Sequence, residues 1–405
     1  MKILHITASY KPAFVYGGPI YSVAALCEAL GKSEVRSLQS VSSHSLLYYV
    51  EVITTLANGK EEIPYASGEI KIIEGIDIRY FKRWTKDHSH FSPALLWHLW
   101  KTAKNFDVIH IHSWWNLVSM GSVLICIIKG INPIISPRGM LGDYTFTPSK
   151  KFFHRWVGKY LLRKCTIHAT TMMEAKEISS ILQVDETQVK IIDLMCEEDV
   201  SRKWKVESRK SAANNFIQIF VVHNLVQLPA LIHPRKQISD GVLKLIFLSR
   251  IHPKKGIELL LEALFEVDFP FTLTIVGEGA TDYVESLKLR VESLKLSHAV
   301  KWIGAVYGDE KFKLLSENDL FVLPSFNENF ANAVIESLAV GTPVLISENV
   351  GLKDYIEKNN YGLIHVQNVT NLKEKLNYFY HHPIKKVILK DKNNLIEKYD
   401  LMYHA

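Results

Sequence analysis

Two kinds of hydrophobic pattern alternate along the chain. Short runs of β-branched and aliphatic residues are followed by longer segments in which apolar residues recur every three or four positions. Buried parallel strands and amphipathic helices give these two patterns, so the alternation predicts repeated βα units on parallel sheets. The strands predicted in the first half are Ile3–Thr7, Val50–Thr54, Ile76–Phe81, Val108–His112, Ile134–Ser136 and Thr166–Thr170. Those predicted in the second half are Leu245–Arg250, Leu273–Gly277, Val300–Gly304, Leu320–Pro324, Pro343–Ser347 and Gly362–Val366.

The two sets of strands predict two doubly wound α/β domains. A chain of 405 residues also exceeds the ~250–300 residues at which a single hydrophobic core stops growing. The pattern weakens where Glu, Lys, Ser and Asn crowd Glu197–Asn215, and prolines interrupt the next stretch of chain. We therefore expect domains at 1–228 and 229–405, with a connection near Leu228–Gly241. Residues Ser33–Ser67 fit the alternation poorly and predict a variable loop.

Composition and charge narrow the classes of protein. Lys and Arg number 48 against 42 Asp and Glu, a net charge of +6, which suits a polyanionic ligand or an anionic membrane surface. This balance alone does not indicate nucleic acid. The four cysteines form no CxxC pair, so neither a disulfide framework nor a zinc site is expected; they are Cys27, Cys126, Cys165 and Cys196.

The cysteine pattern and the apolar segments together favour a cytoplasmic protein. The N-terminus runs straight into a strand, without the basic region and apolar stretch of a signal peptide. The most apolar stretch, Val123 to Ile128, is well short of the ~20 residues that a membrane-spanning helix needs. Any membrane contact is therefore expected to be peripheral, at the inner face of the cell membrane.

The segment 325–344 combines two acids with a predicted strand, loop and helix. Glu328 lies in the loop after the strand, a helix opens near Phe330, and Glu336 lies inside it. Gly341 ends the helix at the position after its C-cap, and Pro343 begins the next strand. The loop amides at Asn329, Phe330 and Ala331 precede the helix, and such amides favour an anionic or hydroxyl-rich ligand.

The two acids differ in their surroundings. Glu328 beside the loop amides can accept hydrogen bonds from sugar hydroxyls, and Glu336 can hold the two vicinal hydroxyls of a ribose. Taken singly, such acids are ordinarily solvated surface residues. Glu336, however, is flanked by Val334, Ile335 and Leu338, on a face that should be buried, so its carboxylate requires a partner.

Seven residues separate Glu328 from Glu336, and a small-residue turn and Pro343-Val344 follow. This arrangement resembles the signature of the retaining family-four glycosyltransferases, the glycosyl transferases group 1. The resemblance covers most of the chain, with a weak stretch in the middle. It implies a GT-B fold, in which two Rossmann-like domains face a cleft. It also implies a nucleoside-diphosphate-sugar (NDP-sugar) donor in that cleft, retention of the anomeric configuration, and neither metal nor other cofactor.

A basic turn follows the first predicted strand of the second half. Arg250 ends that strand, and Lys255 precedes Gly256 and an amphipathic helix. A planar guanidinium and an ammonium at the carboxyl edge of a parallel sheet can clamp a diphosphate. The resemblance assigns this role to Arg250 and Lys255, whereas Lys254 is expected to be solvated.

Two features of the first half also fall at strand ends. Gly17 and Gly18 precede the first predicted helix, and they resemble the family's loop near the donor phosphates and the acceptor. His110 and His112 share one face of a strand, and His112 lies at its carboxyl end. The resemblance places His112 at the donor sugar near the reacting carbon, while His110 is expected to be a satisfied core histidine.

Two further segments suggest an acceptor or a membrane. The loop around Arg138 resembles a stretch of bacterial surface-polysaccharide glycosyltransferases, in which the arginine would meet an acceptor phosphate. Residues 149–164 are basic and aromatic at helical spacing, which is typical of a membrane-surface helix and equally of an ordinary half-buried helix.

The sequence departs from the family at two places. Leu225 stands where the family has a glycine with positive φ, so we expect that turn to be rebuilt or strained. Only a few residues follow Tyr399–Leu401, which leaves little of the helix that in the family crosses back to the N-terminal domain.

These features predict a metal-independent, retaining hexosyltransferase acting on an NDP-sugar and a glycan or lipid-linked acceptor. The leaving diphosphate would be held by Arg250, Lys255 and the loop amides, and would help to deprotonate the acceptor within a short-lived ion pair. Two alternatives share the fold. A nucleotide-sugar epimerase would need no acceptor, and a non-catalytic sugar-nucleotide binding protein would fit the altered turn at Leu225.

Overall fold

A computed structural model of the chain describes residues 1–32, 34–36, 45–142, 145–183, 188–195, 217–228, 241–384, 387–389 and 395–405. The chain divides into two compact units. The first comprises Met1–Leu225 with Asn393–Ala405, and the second comprises Val226–Lys392. Most of the expected connection Leu228–Gly241, the polar stretch Glu197–Asn215 and Cys196 lie outside the described residues.

The first unit is built on a nine-stranded sheet with the order β12-β13-β11-β10-β9-β1-β4-β8-β7. Every neighbouring pair is parallel except β7 and β8. The strands of this unit are β1 (Lys2–Ile6), β2 (Glu34–Arg36), β3 (Ser45–Leu47), β4 (Tyr49–Thr55), β5 (Ala57–Asn58), β6 (Glu61–Glu62), β7 (Ile70–Ile73), β8 (Ile76–Phe81), β9 (Val108–His112), β10 (Ile134–Ser136), β11 (Thr166–Ala169), β12 (Val189–Asp193) and β13 (Ile217–Val221).

Helices cover both faces of this sheet, as in a doubly wound domain. They are α1 (Gly18–Lys32), α2 (Pro93–Thr102), α3 (Leu117–Ile128), α4 (Pro148–Phe153), α5 (Lys159–Leu162) and α6 (Met172–Leu182). A π-helical turn, His154–Gly158, joins α4 to α5, and 3-10 turns occupy Phe14–Tyr16 and Ala103–Asn105. Side-chain N-caps explain where three of these helices begin. Ser92, Asn116 and Thr171 accept hydrogen bonds from amides in the first turns of α2, α3 and α6, respectively.

Two hydrophobic cores lie on opposite sides of the first sheet, because successive residues of a strand face opposite ways. Ile3 belongs to one core, and Leu4 and Ile6 to the other. A C-terminal helix, Leu395–Tyr403, joins the same side as Ile3. The end of the chain therefore belongs to the first unit. The domain 229–405 expected from the sequence is wrong in including it. The physical reason is the burial of Tyr399, Met402 and Tyr403 in that core.

The second unit has a six-stranded parallel sheet with the order β16-β15-β14-β17-β18-β19. Its strands are β14 (Leu243–Leu248), β15 (Phe271–Val276), β16 (Val300–Gly304), β17 (Leu320–Leu323), β18 (Val344–Ser347) and β19 (Gly362–His365). Its helices are α7 (Ile257–Phe265), α8 (Thr281–Ser293), α9 (Asp309–Ser316), α10 (Asn332–Ala339), α11 (Lys353–Asn359) and α12 (Val369–His381), with a 3-10 turn at Pro253–Lys255.

The strand order of the second unit reverses between β14 and β17, because the chain adds β15 and β16 on one side of β14 and the remaining strands on the other. The connections that leave neighbouring strands at such a point diverge to opposite faces of the sheet. They open a crevice at the carboxyl ends of the strands, where α/β sheets bind ligands. The first unit has an equivalent point between β1 and β9.

All twelve predicted strands are present, with ends within two residues of the prediction. The prediction missed β7, β12 and β13 of the main sheet. The rebuilt turn at Leu225 needs no strain, since Leu225 is not among the residues with positive φ. Among the described residues, none of the helices combines the length and apolar character that crossing a bilayer requires. Cys27, Cys126 and Cys165 are buried and free.

Candidate active site

The predicted diphosphate clamp of the second unit lies at the point where its strand order reverses. Arg250 follows β14, Lys255 lies in the turn that leads to α7, and Glu328 lies in the loop after β17. Because β14 and β17 are neighbours, these loops meet at the carboxyl edge of the sheet. The Lys255 ammonium forms an ion pair with the Glu328 carboxylate. Lys255 is buried, whereas Arg250 is exposed.

A glycine allows the two loops to approach this closely. Gly256 has φ +69°, and a Cβ at this position would lie 2.2 Å from the carbonyl oxygen of Pro324, far inside contact distance. The amide of Phe326 donates to the carbonyl of Lys254 at 2.9 Å, which joins the loops through their backbones. The same Pro324 carbonyl accepts from the Gln367 side chain at 2.7 Å. Lys255 is thus held against the loop of Glu328 by the fold itself.

The loop that carries Glu328 is also fixed from its other side. The amide of Glu328 donates to the Asn349 carbonyl at 3.0 Å, and its carbonyl accepts from the Gly351 amide at 2.8 Å. The helix after the loop begins at Asn332, two residues later than expected, because Ala331 adopts a left-handed conformation with φ +59°. The helix then ends as predicted, with Gly341 in the left-handed region at φ +88°.

Glu336 has the partner that its buried position requires. It is 8% exposed, and its Oε1 accepts a hydrogen bond from Lys311 Nζ at 2.7 Å. Lys311 comes from α9, which packs beside α10. The sequence predicts the need for a partner but does not identify Lys311. Of the other predicted donor residues, Phe330 is buried in the core, and Asn329 and Ala331 are half-buried.

In the first unit, four buried histidines gather where β1, β9, β10 and β11 lie side by side. They are His5, His110, His112 and His168, and none is exposed to solvent. Arg138 lies among them, with φ +55°, and donates to Ser22 Oγ and Asn224 Oδ1 at 2.8 Å each. No described carboxylate forms an ion pair with this guanidinium, so its charge is held by neutral acceptors.

Hydrogen bonds fix the proton positions of His112 and His5. Arginine can only donate, so the contact of 3.3 Å from Arg138 Nη2 makes His112 Nδ1 an acceptor. His112 Nε2 then donates to His5 Nδ1 at 2.9 Å. The proton of His5 is left on Nε2, which has no hydrogen-bond partner among the described residues. Both nitrogens of His112 are engaged in this structure, and its contact with a donor sugar remains a prediction.

A second chain of hydrogen bonds runs from the C-terminal helix through His110 and His168. His168 Nε2 donates a hydrogen bond to the Val222 carbonyl. His168 Nδ1 therefore carries no proton and accepts from the Ser136 hydroxyl at 2.6 Å. Ser136 Oγ in turn accepts from His110 Nε2, and His110 Nδ1 accepts from the Tyr403 hydroxyl at 2.9 Å. His110 is therefore the satisfied core histidine that the sequence predicted.

Burial is the largest cause that lowers the pKa of all four histidines, and the positive charge of Arg138 contributes at each of them. The pKa of His5 and that of His168 each fall to about 3, so these rings are neutral near pH 7. His5, His110 and His112 are close enough to share a metal ion. The Arg138 guanidinium beside His112 opposes a second positive charge there, and most of the ring nitrogens already have partners.

Gly17 lies at the same carboxyl edge, between β1 and α1, and Gly18 is the first residue of α1. Gly17 has φ +73°, and a Cβ built on it would meet no atom within 4 Å, so open space lies beside its backbone. Glu174 fixes the neighbouring loop of Arg138, since it accepts from the Gly139 amide at 2.6 Å and from the Thr170 amide at 2.7 Å. Sequence reasoning missed His5 and Glu174. A histidine inside the apolar strand Ile3–Ile6 was the available signal for the first.

Two known families match the sequence. Residues 230–398 match the family described as Glycosyl transferases group 1, and residues 44–194 match Glycosyltransferase Family 4. The match to Glycosyl transferases group 1 includes Arg250, Lys255, Glu328 and Glu336. The match to Glycosyltransferase Family 4 includes His112 and Arg138.

Curated relatives are glycosyltransferases. An uncharacterized glycosyltransferase of Methanocaldococcus jannaschii is 25% identical over 381 residues, which is 90% of this chain and 84% of the relative. The amylovoran biosynthesis glycosyltransferase AmsK of Erwinia amylovora is 33% identical over 30% of this chain and 31% of its own. The phosphatidyl-myo-inositol mannosyltransferase of Mycobacterium leprae is 30% identical over 39% of this chain and 41% of its own.

Solved structures share the fold over the full chain. HepE of Anabaena, in complex with UDP and glucose, has a TM-score of 0.61 at 14% identity, over 100% of this chain and 94% of its own. WaaG, a glycosyltransferase involved in lipopolysaccharide biosynthesis, has a TM-score of 0.58 at 12% identity, over 99% of each chain. The predicted GT-B fold, with two Rossmann-like units, is confirmed.

The buried histidines predict that stability falls in acid. An unfolded histidine binds a proton below pH ~6.5, whereas these rings stay neutral to much lower pH. The contribution of these histidines to the free energy of unfolding is therefore complete above pH ~6.5. It is lost as the pH falls towards 3, by up to about 1.4 kcal/mol per pH unit for each histidine. Urea unfolding at several pH values, followed by tryptophan fluorescence, measures this. Seven of the eight tryptophans belong to the first unit.

His168→Gln should reduce the dependence of the free energy of unfolding on pH. His298→Gln is the matched control, since His298 is exposed and should leave that dependence unchanged. A free energy of unfolding that does not change between pH 7 and pH 5 would contradict the assignment of four neutral rings.

Proposed function

We propose that this chain, which belongs to the glycosyl transferases group 1 family, moves a hexose-type sugar from an NDP-sugar to a glycan or lipid-linked acceptor, with retention. The observation that carries the proposal is the meeting of Lys255 and Glu328 at the carboxyl edge between β14 and β17. A cation for phosphate and an acceptor for sugar hydroxyls are thereby adjacent, as the two halves of an NDP-sugar require. The binding of UDP and glucose by HepE supports a donor of this class.

The ion pair suggests how the donor is received. A diphosphate carries more negative charge than a carboxylate and can reach the Lys255 ammonium through its oxygens. We infer that it replaces Glu328 as the partner of Lys255. The released Glu328 carboxylate is then free to accept hydrogen bonds from the transferred sugar. Because Gly256 and the backbone bond from Phe326 to Lys254 hold the loops together, this exchange needs only side-chain movement.

Arg250 supplies a second positive charge at the same edge. It is exposed and forms no ion pair with another described side chain, so binding phosphate costs it no existing partner. Together Arg250 and Lys255 stabilise the charge that develops on the leaving diphosphate. In this proposal the leaving phosphate helps to deprotonate the acceptor on the same face, which gives retention without a side-chain nucleophile.

Glu336 is proposed to hold the ribose. One carboxylate oxygen accepts from Lys311, which fixes the orientation of the group and leaves the other oxygen for the vicinal hydroxyls. Lys311 is then a positioning residue. Its removal would leave a buried carboxylate without its cation, which is costly and would weaken ribose binding.

The first unit is proposed to contribute through Gly17, Gly18 and Arg138. The open backbone at Gly17 suits close approach of a phosphate, as the family resemblance implies. For Arg138 an acceptor phosphate remains the proposal. Its guanidinium forms no ion pair with a described carboxylate and donates to the neutral acceptors Ser22 and Asn224, so a phosphate would give it an ion-pair partner.

Removal of either clamp residue should weaken nucleoside-diphosphate binding. Lys255→Ala should cost on the order of 2–5 kcal/mol, because the diphosphate loses a buried ammonium and meets the negative charge of Glu328 uncompensated. Arg250→Ala should cost less, on the order of 1 kcal/mol, because water screens an exposed charge. Isothermal titration calorimetry with UDP and GDP measures both. Lys254→Ala, in the same turn, is the control, and unchanged affinity in both clamp variants would reject the site.

Sugar transfer should survive chelation by EDTA. Arg250 and Lys255 provide the positive charge that a divalent cation supplies in metal-dependent phosphate sites. Turnover with and without EDTA, on protein first freed of metal, measures this directly. Activity that is abolished by EDTA and restored by Mg²⁺ or Mn²⁺ would overturn the proposed mechanism.

A further inference from the structure

Three helical segments of the first unit expose apolar side chains on a common surface. α3 packs against both α2 and α5, so the segments 93–105, 117–129 and 148–164 are neighbours. We call their exposed side the apolar-basic face. On the third segment, Phe152, Trp156 and Tyr160 recur every four residues, and the first two are each 70% exposed. Aromatic residues this exposed are unusual on a protein that has no partner.

The other two segments extend the same surface. Trp97 and Trp100 are exposed on α2, and Leu124 and Ile128 on α3. Lys129, at the end of α3, places its ammonium 4.2 Å from the centre of the Trp100 ring. This contact shows that the exposed sides of α2 and α3 are continuous. The sequence pattern alone indicates only one such helix, at 149–164.

The three segments that form the apolar-basic face carry charge of only one sign. They contain nine Lys and Arg residues and no Asp or Glu. The rest of the chain has 39 of the 48 basic residues against all 42 acidic ones, so the excess positive charge of the protein is concentrated here. The basic side chains also mix with the aromatic ones, as Lys101 does over the Trp97 ring at 4.9 Å.

We propose that the apolar-basic face docks on the surface of an anionic lipid bilayer. Tryptophan, tyrosine and phenylalanine enter the boundary between head groups and acyl chains, while lysines reach the lipid phosphates from apolar stems. A second copy of the chain is a poor occupant, because a symmetric contact would set the positive charges of one face against those of the other. The lysines among the aromatic rings also differ from the core of a protein interface, where lysine is depleted.

Vesicle flotation, without donor or acceptor, tests the proposal independently of sugar transfer. The protein should float with vesicles of phosphatidylcholine and phosphatidylglycerol, but not with phosphatidylcholine alone, and added NaCl should weaken binding. Lys150→Glu with Lys151→Glu should lower partitioning about 25-fold or more, at about fivefold for each positive charge removed. Trp156→Ser with Tyr160→Ser tests the apolar contribution, and Trp97→Ser tests whether the surface includes α2; both should also reduce flotation.

Leu289→Ser with Lys301→Glu is the matched control, since both residues are exposed on the second unit and should leave flotation unchanged. Circular dichroism establishes that each variant is folded. The proposal is overturned if the wild type does not float with anionic vesicles, or if the folded face variants float as well as the wild type. It is also overturned if sedimentation velocity shows that these variants separate an oligomer, because the face would then join copies of the chain.

Discussion

The ion pair between Lys255 and Glu328 is the interaction on which the proposed donor site depends. Two opposite charges that are only partly hydrated stabilise each other, and loss of either partner leaves the other unpaired in a poorly solvated place. The pair exists because the sheet brings the ends of β14 and β17 together and because Gly256 has no Cβ to keep their loops apart. The proposed donor site thus combines a cation for phosphate and an anion for hydroxyl groups at the carboxyl ends of the strands.

A different constraint organises the first unit. Arg138 is half-buried and forms no ion pair with a described carboxylate, so its guanidinium depends on the polar groups of Ser22, Asn224 and neutral His112. A separate chain of hydrogen bonds, from Tyr403 through His110 and Ser136, fixes the protons of the neighbouring histidines. The C-terminal helix thereby contributes to the histidine cluster in which Arg138 lies.

The sequence predicted those features that depend on local pattern. Twelve strands, the helix end at Gly341 and the satisfied state of His110 followed from hydrophobic period, glycine and strand geometry. It could not predict partners that come from distant elements. The need for a cation beside Glu336 was evident, but Lys311 could be identified only once α9 and α10 were seen to pack together. The C-terminal helix was likewise assigned to the wrong unit, because burial of Tyr399 and Tyr403 is a tertiary effect.

The central claim is that the donor diphosphate displaces Glu328 from Lys255 and that Glu328 then serves the transferred sugar. Calorimetry with the bare nucleoside diphosphate, combined with steady-state turnover, tests it on Glu328→Gln. We expect the diphosphate to bind the variant at least as tightly as the wild type, because Lys255 is already free, while the turnover number falls, because a contact formed in the transition state is weakened. Loss of diphosphate affinity in Glu328→Gln, with turnover unchanged at saturating donor, would contradict the account.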